Sequence, residues 1–165
     1  MFKHCVHITV LATAIFFANG VLAQDAAPVP TAQQSAAMAA SAPRDPALKP
    51  VFEEFGGKPG LVKLMNDFMD NMMADSRTHP YFAPVDRVHV KAELVDQFCV
   101  ILDGPCTYSG SDMASVHRGM GVNRAAFNAL VEDLQTAMNK NHIPFRAQNK
   151  LLAKLAPMSN VIITK

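Results

Sequence analysis

The sequence predicts an all-α domain. From about residue 51 onward its apolar residues recur every three or four positions, and no stretch shows a sustained period of two. Four of these stripes are long enough for amphipathic helices, and glycine or proline residues separate them. Helices without strands bury their apolar faces against one another, so the expected architecture is a helical sandwich or bundle.

The first long helix is predicted over residues 60–74, after a Gly-Gly break and a short helix at residues 51–55. The second covers residues 87–102 and ends at the sequence DGP, which stops helices. The third carries the stripe between Phe127 and Met138, with Asn123 as its N-cap. The fourth covers residues 151–158.

The chain divides into three predicted parts. Residues 1–23 have a basic start and a short apolar run, as in a signal peptide cleaved after Ala23; an uncleaved membrane anchor is the alternative. Residues 24–49 are rich in Ala, Pro, Gln and Ser, which predicts a flexible linker. Residues 50–165 form the folded domain. We therefore expect an exported protein, with the periplasm as its location.

Charge and cysteine content limit the partners. The sequence has 15 basic and 14 acidic residues, and loss of Lys3 with the signal brings the net charge near zero. This balance argues against nucleic acid or an anionic membrane surface as the main partner. Cys99 and Cys106 remain after export, where they either form a disulfide or leave Cys99 as a buried free thiol.

The histidines offer a different chemistry from the usual enzyme motifs. The sequence has no paired H-x-x-x-H or C-x-x-C spacing for zinc, and no G-x-S-x-G, P-loop or G-x-G-x-x-G signature. One imidazole is enough to hold haem iron if an apolar slot surrounds the macrocycle. The chain has ten Met and ten Phe residues, and most fall on helix faces of the domain. Ordinary core packing explains such a composition equally well.

The order of the local motifs is more specific. From residue 52 to about residue 158 the chain closely resembles the group I truncated haemoglobins, through FEEFGGKPG (52–60), DFMD (67–70), PYF (80–82), DGPCTYSG (103–110), VHRGMGV (116–122) and LAP (155–157). This resemblance implies a two-over-two helical sandwich around haem b, with an extended loop before the helix that carries the proximal histidine.

The resemblance also implies roles for individual residues. His117 takes the position of the proximal iron ligand, Phe82 that of the phenylalanine stacked on the porphyrin, and Tyr108 and Phe127 those of aromatic residues at the haem margin. The remaining expected haem contacts are Phe68, Met69, Val90, Lys91, Leu94, Phe98, Met113, Val116 and Leu130. Lys91 either meets a haem propionate or is solvated.

The expected distal side departs from the family. Many relatives have a tyrosine and a glutamine that donate hydrogen bonds to the bound gas, where this chain has Met69 and Leu94. An apolar distal pocket predicts weaker retention of dioxygen than of carbon monoxide or nitric oxide. Met69 either supplies a sixth iron ligand or fills space, and His89 is a sixth ligand or a surface residue.

Three classes of function follow. The leading hypothesis is a haem protein that binds a diatomic gas (O2, NO or CO) in the periplasm. The alternative is a six-coordinate electron-transfer or redox protein that uses His117, Met69 and an unidentified redox partner. A haem-free helical domain is the third. Enzymatic turnover, such as nitric oxide dioxygenation, needs bound dioxygen and a reductase. The apolar distal pocket argues against it, and no flavin or nicotinamide domain is fused to the sequence, so we leave a nitric-oxide-related or peroxidase-like redox activity as the less favoured expectation.

Overall fold

The computed structural model describes residues 31–165, and this part of the chain contains helices and no strand. The expected signal peptide and residues 24–30 of the expected linker lie outside the described residues. The α-helices are α1 Ala32–Ser41, α2 Lys49–Glu54, α3 Gly57–Ala74, α4 His79–Phe82, α5 Arg87–Ile101, α6 Met113–His117, α7 Arg124–Lys140, α8 Phe145–Leu155 and α9 Ser159–Ile162. Short 3₁₀ turns cover Pro46–Leu48 and Ala156–Met158.

The four predicted long helices are present as α3, α5, α7 and α8. Helix α3 begins three residues before the predicted start, at a Gly-Gly pair in which Gly56 and Gly57 have φ values of 78° and 61°. Only glycine adopts this left-handed backbone at no steric cost, so the pair forms the expected break. Asn123 caps α7 as predicted, because its Oδ1 accepts a hydrogen bond from the amide of Ala126 at 2.9 Å.

Helix α3 packs on both α5 and α7, and α8 packs on α2 and α5. The contacts between these helices bury one continuous apolar core. Within residues 31–165, no helix is both long and apolar enough to cross a membrane.

The apolar periodicity of the sequence predicts none of the three short helices α4, α6 and α9, and of these only α6, the helix that carries His117, was implied by the family resemblance. Each has four or five residues, too few to show a stripe of period 3.6. They matter because α4 carries Phe82, α6 carries His117, and α9 packs against α6.

Residues 32–48 differ from the flexible linker that their composition predicts. They form α1 and a 3₁₀ turn, and they bury Ser41, Ala42 and Leu48 against the domain. Arg44 reaches the loop after α5, where its guanidinium donates to Asp103 Oδ1 at 2.8 Å and to the carbonyl of Cys106 at 3.0 Å. Small side chains allow this close approach, and the specific polar contacts offset the ordering entropy on which the linker prediction depended.

The irregular loop between α5 and α6 is present as predicted, and a disulfide fixes its first part. Cys99 of α5 is fully buried and is bonded to Cys106, with the two Cα atoms 5.8 Å apart. Of the two alternatives left open by the sequence, the structure therefore has the disulfide. The disulfide joins helix α5 to the loop that carries Tyr108.

Candidate functional site

His117 is the last residue of the short helix α6. Asp112 caps the start of this helix, where its carboxylate accepts a hydrogen bond from the amide of Ser115 at 3.0 Å. At the other end, the imidazole Nδ1 of His117 lies 2.8 Å from the carbonyl oxygen of Met113. A carbonyl only accepts, so Nδ1 carries the proton. The lone pair of Nε2 is then available to a metal.

The imidazole lies on the wall of a cavity of about 430 Å³. The walls come from α3, α4, α5, the loop before α6, α6, α7, α8 and the C-terminal turns. Most of the lining is apolar. Its apolar members beyond those predicted from the sequence are Met72, Val85, Met120, Val131, Leu134, Leu152, Leu155, Ala156, Met158 and Ile162.

The structure brings most of the predicted site residues together on this wall. These are Phe68, Phe82, Val90, Leu94, Phe98, Tyr108, Met113, Val116, His117, Phe127 and Leu130. They come from six separate segments of the chain, which α3 and its neighbours hold around one apolar space.

Met69 does not line the cavity, which corrects its expected place opposite His117. It is 4% exposed and belongs to the buried core, while Phe68 and Met72 of the same helix line the cavity. Residues four apart share a helix face, whereas the step from Phe68 to Met69 turns the side chain by about 100°. The position of Met69 in the core, outside the lining, favours the second of the two alternatives, in which it fills space.

Lys91 also lies away from the cavity lining. Its Nζ donates a hydrogen bond to Asn66 Oδ1 at 2.8 Å and so bridges α5 to α3 on the surface. The expected contact of Lys91 with a haem propionate therefore has no support in this arrangement.

The lining also includes polar residues. The sequence analysis left His89 open as a sixth ligand or a surface residue, and it missed Tyr81 and Gln97 as members of the lining. Tyr81 reaches it from α4, while His89, Glu93 and Gln97 form a stripe on α5. These three are spaced by four and share a face, which is the signal that could have identified them. Gln97 is only 3% exposed, and its Nε2 donates to the carbonyl of Ser41 at 2.6 Å.

Tyr108 closes one margin of the cavity. Its hydroxyl donates to the carbonyl of Ser111 at 2.7 Å. Burial, followed by the charges of Glu93 and Asp112, raises the pKa of Tyr108 to about 12. A side chain at Gly110 would overlap both the Glu93 carboxylate and the Tyr108 ring, so glycine lets the loop pass closely between them.

A helical sandwich that encloses an apolar cavity, with an imidazole on its wall, is the arrangement found in globins. The family model for bacterial-like globins matches residues 50–164, and this chain belongs to that family.

The relatives of the chain are group 1 truncated hemoglobins. The group 1 truncated hemoglobin GlbN of Mycolicibacterium paratuberculosis is 25% identical over 114 residues, which cover 69% of this chain and 84% of that protein. The group 1 truncated hemoglobin of Tetrahymena thermophila is 30% identical over 90 residues, which cover 54% and 74% respectively.

Solved structures agree on the fold. The truncated hemoglobin from Tetrahymena pyriformis in its Fe(III) form superposes with a TM-score of 0.66 at 23% identity, covering 70% of this chain and 98% of that one. The 2/2 hemoglobin from Synechococcus sp., in the cyanomet state and with covalently attached heme, superposes with a TM-score of 0.65 at 17% identity and the same coverage. The resemblance to group I truncated haemoglobins and the two-over-two fold are thereby confirmed.

Proposed function

We propose that this chain is an exported globin that binds haem b and, through the haem iron, a diatomic gas. One observation carries the proposal: the Nδ1 of His117 is tied to the Met113 carbonyl on the wall of a largely apolar cavity. A histidine that ligates iron almost always donates its other ring nitrogen in this way, which fixes the ring and raises the basicity of the ligating nitrogen.

The lining fits the cofactor of this family. His117 would hold the iron, and the aromatic side chains of Phe82, Phe98 and Phe127 would pack on the apolar macrocycle. When bound, haem supplies an iron with a coordination position for a small gas. The protein would supply His117 as the iron ligand, an apolar lining that excludes water, and any hydrogen bonds to the bound gas.

Two hydrogen-bond donors of the lining, on Gln97 and Tyr81, already have partners within the protein. The Nε2 of Gln97 is engaged by the Ser41 carbonyl, and the Tyr81 hydroxyl is 3.5 Å from the carbonyl of Gly121. A hydrogen bond to a charged acceptor contributes about 1.5–3 kcal/mol, so its absence shortens the residence of dioxygen by roughly one to two orders of magnitude. Carbon monoxide and nitric oxide depend less on a donor. We therefore propose that the chain handles one of these gases rather than storing dioxygen.

A six-coordinate redox protein is the second candidate, and His89 is the observation that favours it. His89 lines the cavity from α5, whereas Met69, the other sixth ligand considered from the sequence, does not. Two nitrogen ligands would leave the gas without a free position and would suit electron transfer to a partner.

The visible spectrum of the haemin-loaded, reduced chain separates these functions. An open iron gives one broad band in the middle of the visible range, while two protein ligands give sharp split bands without added gas. The proposed gas binder shows the first spectrum and shifts fully on addition of carbon monoxide. Split bands that persist under carbon monoxide would favour the redox protein, and failure to develop a Soret band would overturn both.

Export to the periplasm is part of the proposal. The signal-like residues 1–23 support it, and so does the Cys99–Cys106 disulfide, since such bonds persist mainly in oxidising compartments. Fractionation and the intact mass of the cell-derived protein test it. A periplasmic protein that begins at Gln24 is expected, whereas a full-length chain in the membrane fraction would indicate an uncleaved anchor.

A further inference from the structure

The segment before the globin domain reaches the helix that carries His117. Ser41, at the end of α1, is 3% exposed. Its hydroxyl donates to the carbonyl of Ala37 at 2.9 Å and accepts from the amide of Met113 at 2.9 Å. A serine hydroxyl has one proton and two lone pairs, so both bonds form together. The family match begins only at residue 50, so Ser41 lies outside it.

The amide of Met113, which donates its hydrogen bond to the Ser41 hydroxyl, has no acceptor inside its own helix. Met113 is the first residue of α6, and the first amides of a helix need an external acceptor. A helix of five residues makes few internal hydrogen bonds and has little stability of its own. External contacts therefore decide where α6 lies.

Met113 connects Ser41 to the imidazole. Its amide is held by Ser41 at one end, and its carbonyl accepts the Nδ1 proton of His117 at 2.8 Å at the other. Gln97 closes the arrangement from α5, since its Nε2 donates to the Ser41 carbonyl at 2.6 Å and lies 3.6 Å from the Met113 sulfur. Three helices thus meet at one residue of the N-terminal segment.

We propose that Ser41 is a positioning residue for His117, which sets the orientation of the imidazole through Met113. This inference rests on the proposed role of His117 as the haem ligand. If it holds, residues 32–48 contribute to the geometry of the haem site. Arg44 attaches the same segment to the domain at a second point, the loop after α5.

The test compares Ser41→Ala with Asp45→Ala in the full chain. Asp45 caps the 3₁₀ turn of the same segment by accepting from the amide of Ala47 at 2.9 Å, and it pairs with Lys154, away from α6. Loss of either group weakens the segment, but only Ser41→Ala releases the Met113 amide. Ser41→Cys keeps the volume with a weaker acceptor and replaces the alanine variant if that one does not fold.

Two readouts are needed. Hydrogen exchange of the Met113 amide in the haem-free chain reports the Ser41 bond, and we expect faster exchange in Ser41→Ala alone. In the haemin-loaded chain we expect Ser41→Ala to lose haemin roughly three- to tenfold faster, the effect of one hydrogen bond. After reduction of the iron, we expect the same variant to shift the iron–histidine stretching band in the resonance Raman spectrum.

The outcomes separate this inference from the proposed function. If Ser41→Ala matches Asp45→Ala in haemin loss and in the stretching band, while both chains bind haem through His117, the positioning role is wrong. Unchanged exchange of the Met113 amide would overturn the Ser41 bond itself. If the unmodified chain takes up no haem, the proposed function fails, and the positioning role fails with it whatever the exchange shows.

Discussion

The Nδ1 of His117 lies 2.8 Å from the carbonyl oxygen of Met113, one turn earlier in α6. This hydrogen bond fixes the tautomer and the ring orientation of the imidazole, and it leaves Nε2 as the basic nitrogen. The pair is held on the wall of an apolar cavity by a helix too short to stand alone. The position of the His117 imidazole therefore depends on contacts that other segments of the chain make with α6.

Leu94→Gln is expected to convert the apolar wall into one that retains dioxygen. Leu94 lines the cavity, and an amide donor there would slow dioxygen dissociation roughly ten- to hundredfold, while carbon monoxide dissociation changes little. Flash photolysis or stopped-flow mixing gives both rates. Leu94→Met, of similar size and without a donor, is the control. Equal slowing of both gases, or of neither, would argue against this account of the wall.

The part of the site that sequence reasoning found is the part that local patterns encode. The motif around His117, the cap at Asn123 and the stop before Pro105 all involve neighbours in the chain, and each is present in the structure. Phe82 was found through its ordered motif, although the short helix that carries it has no periodic signal.

The parts that were missed depend on packing between distant segments. Met69 and Phe68 are adjacent, and only the packing of α3 on its neighbours decides which of them faces the cavity. The partners of Arg44 lie about 60 residues away along the chain, so the composition of residues 24–49 contains no sign of them. Gln97 is a different case, because its spacing of four from Glu93 is a local signal, which the apolar neighbour Phe98 obscures.

Reduction of the Cys99–Cys106 disulfide is expected to destabilise the domain. Chain-entropy arguments for a short loop give about 2–3 kcal/mol, which urea unfolding with and without reductant measures. The Cys106→Ser variant should be less stable than the native chain and insensitive to reductant. The same unfolding midpoint for the native chain in both conditions would be incompatible with a stabilising disulfide.

Asp133→Asn is expected to stabilise the protein at neutral pH. Burial raises the pKa of the Asp133 carboxyl, so the folded state favours its protonated form. Its Oδ2 lies 3.2 Å from the hydroxyl of Thr78, whose single proton has a second, nearer acceptor in the Met72 carbonyl at 2.8 Å. The stability of the native chain therefore falls as pH rises above the ordinary carboxyl range near 3.8, whereas an amide at this position is uncharged at every pH and donates a hydrogen bond to the Thr78 oxygen.

Thermal unfolding between acid and neutral pH measures this difference. The advantage of Asp133→Asn over the native chain should be full near neutral pH and should disappear as pH falls below about 3.8, the ordinary carboxyl value. Asp70→Asn makes the same change at an exposed carboxyl on α3 and serves as the control, with little change expected. A constant advantage at every pH would show that the carboxyl is not perturbed by its burial.

The most direct test of the account is the haem complex of His117→Gly, with and without added imidazole. We predict that the glycine variant loses the iron–histidine stretching band of the reduced native complex and that free imidazole restores an iron–imidazole band. His142→Asn, which changes an exposed histidine outside the cavity lining and tolerates its φ of 55°, should keep the native band. A His117→Gly complex with the native band before imidazole is added would contradict the claim that His117 holds the iron.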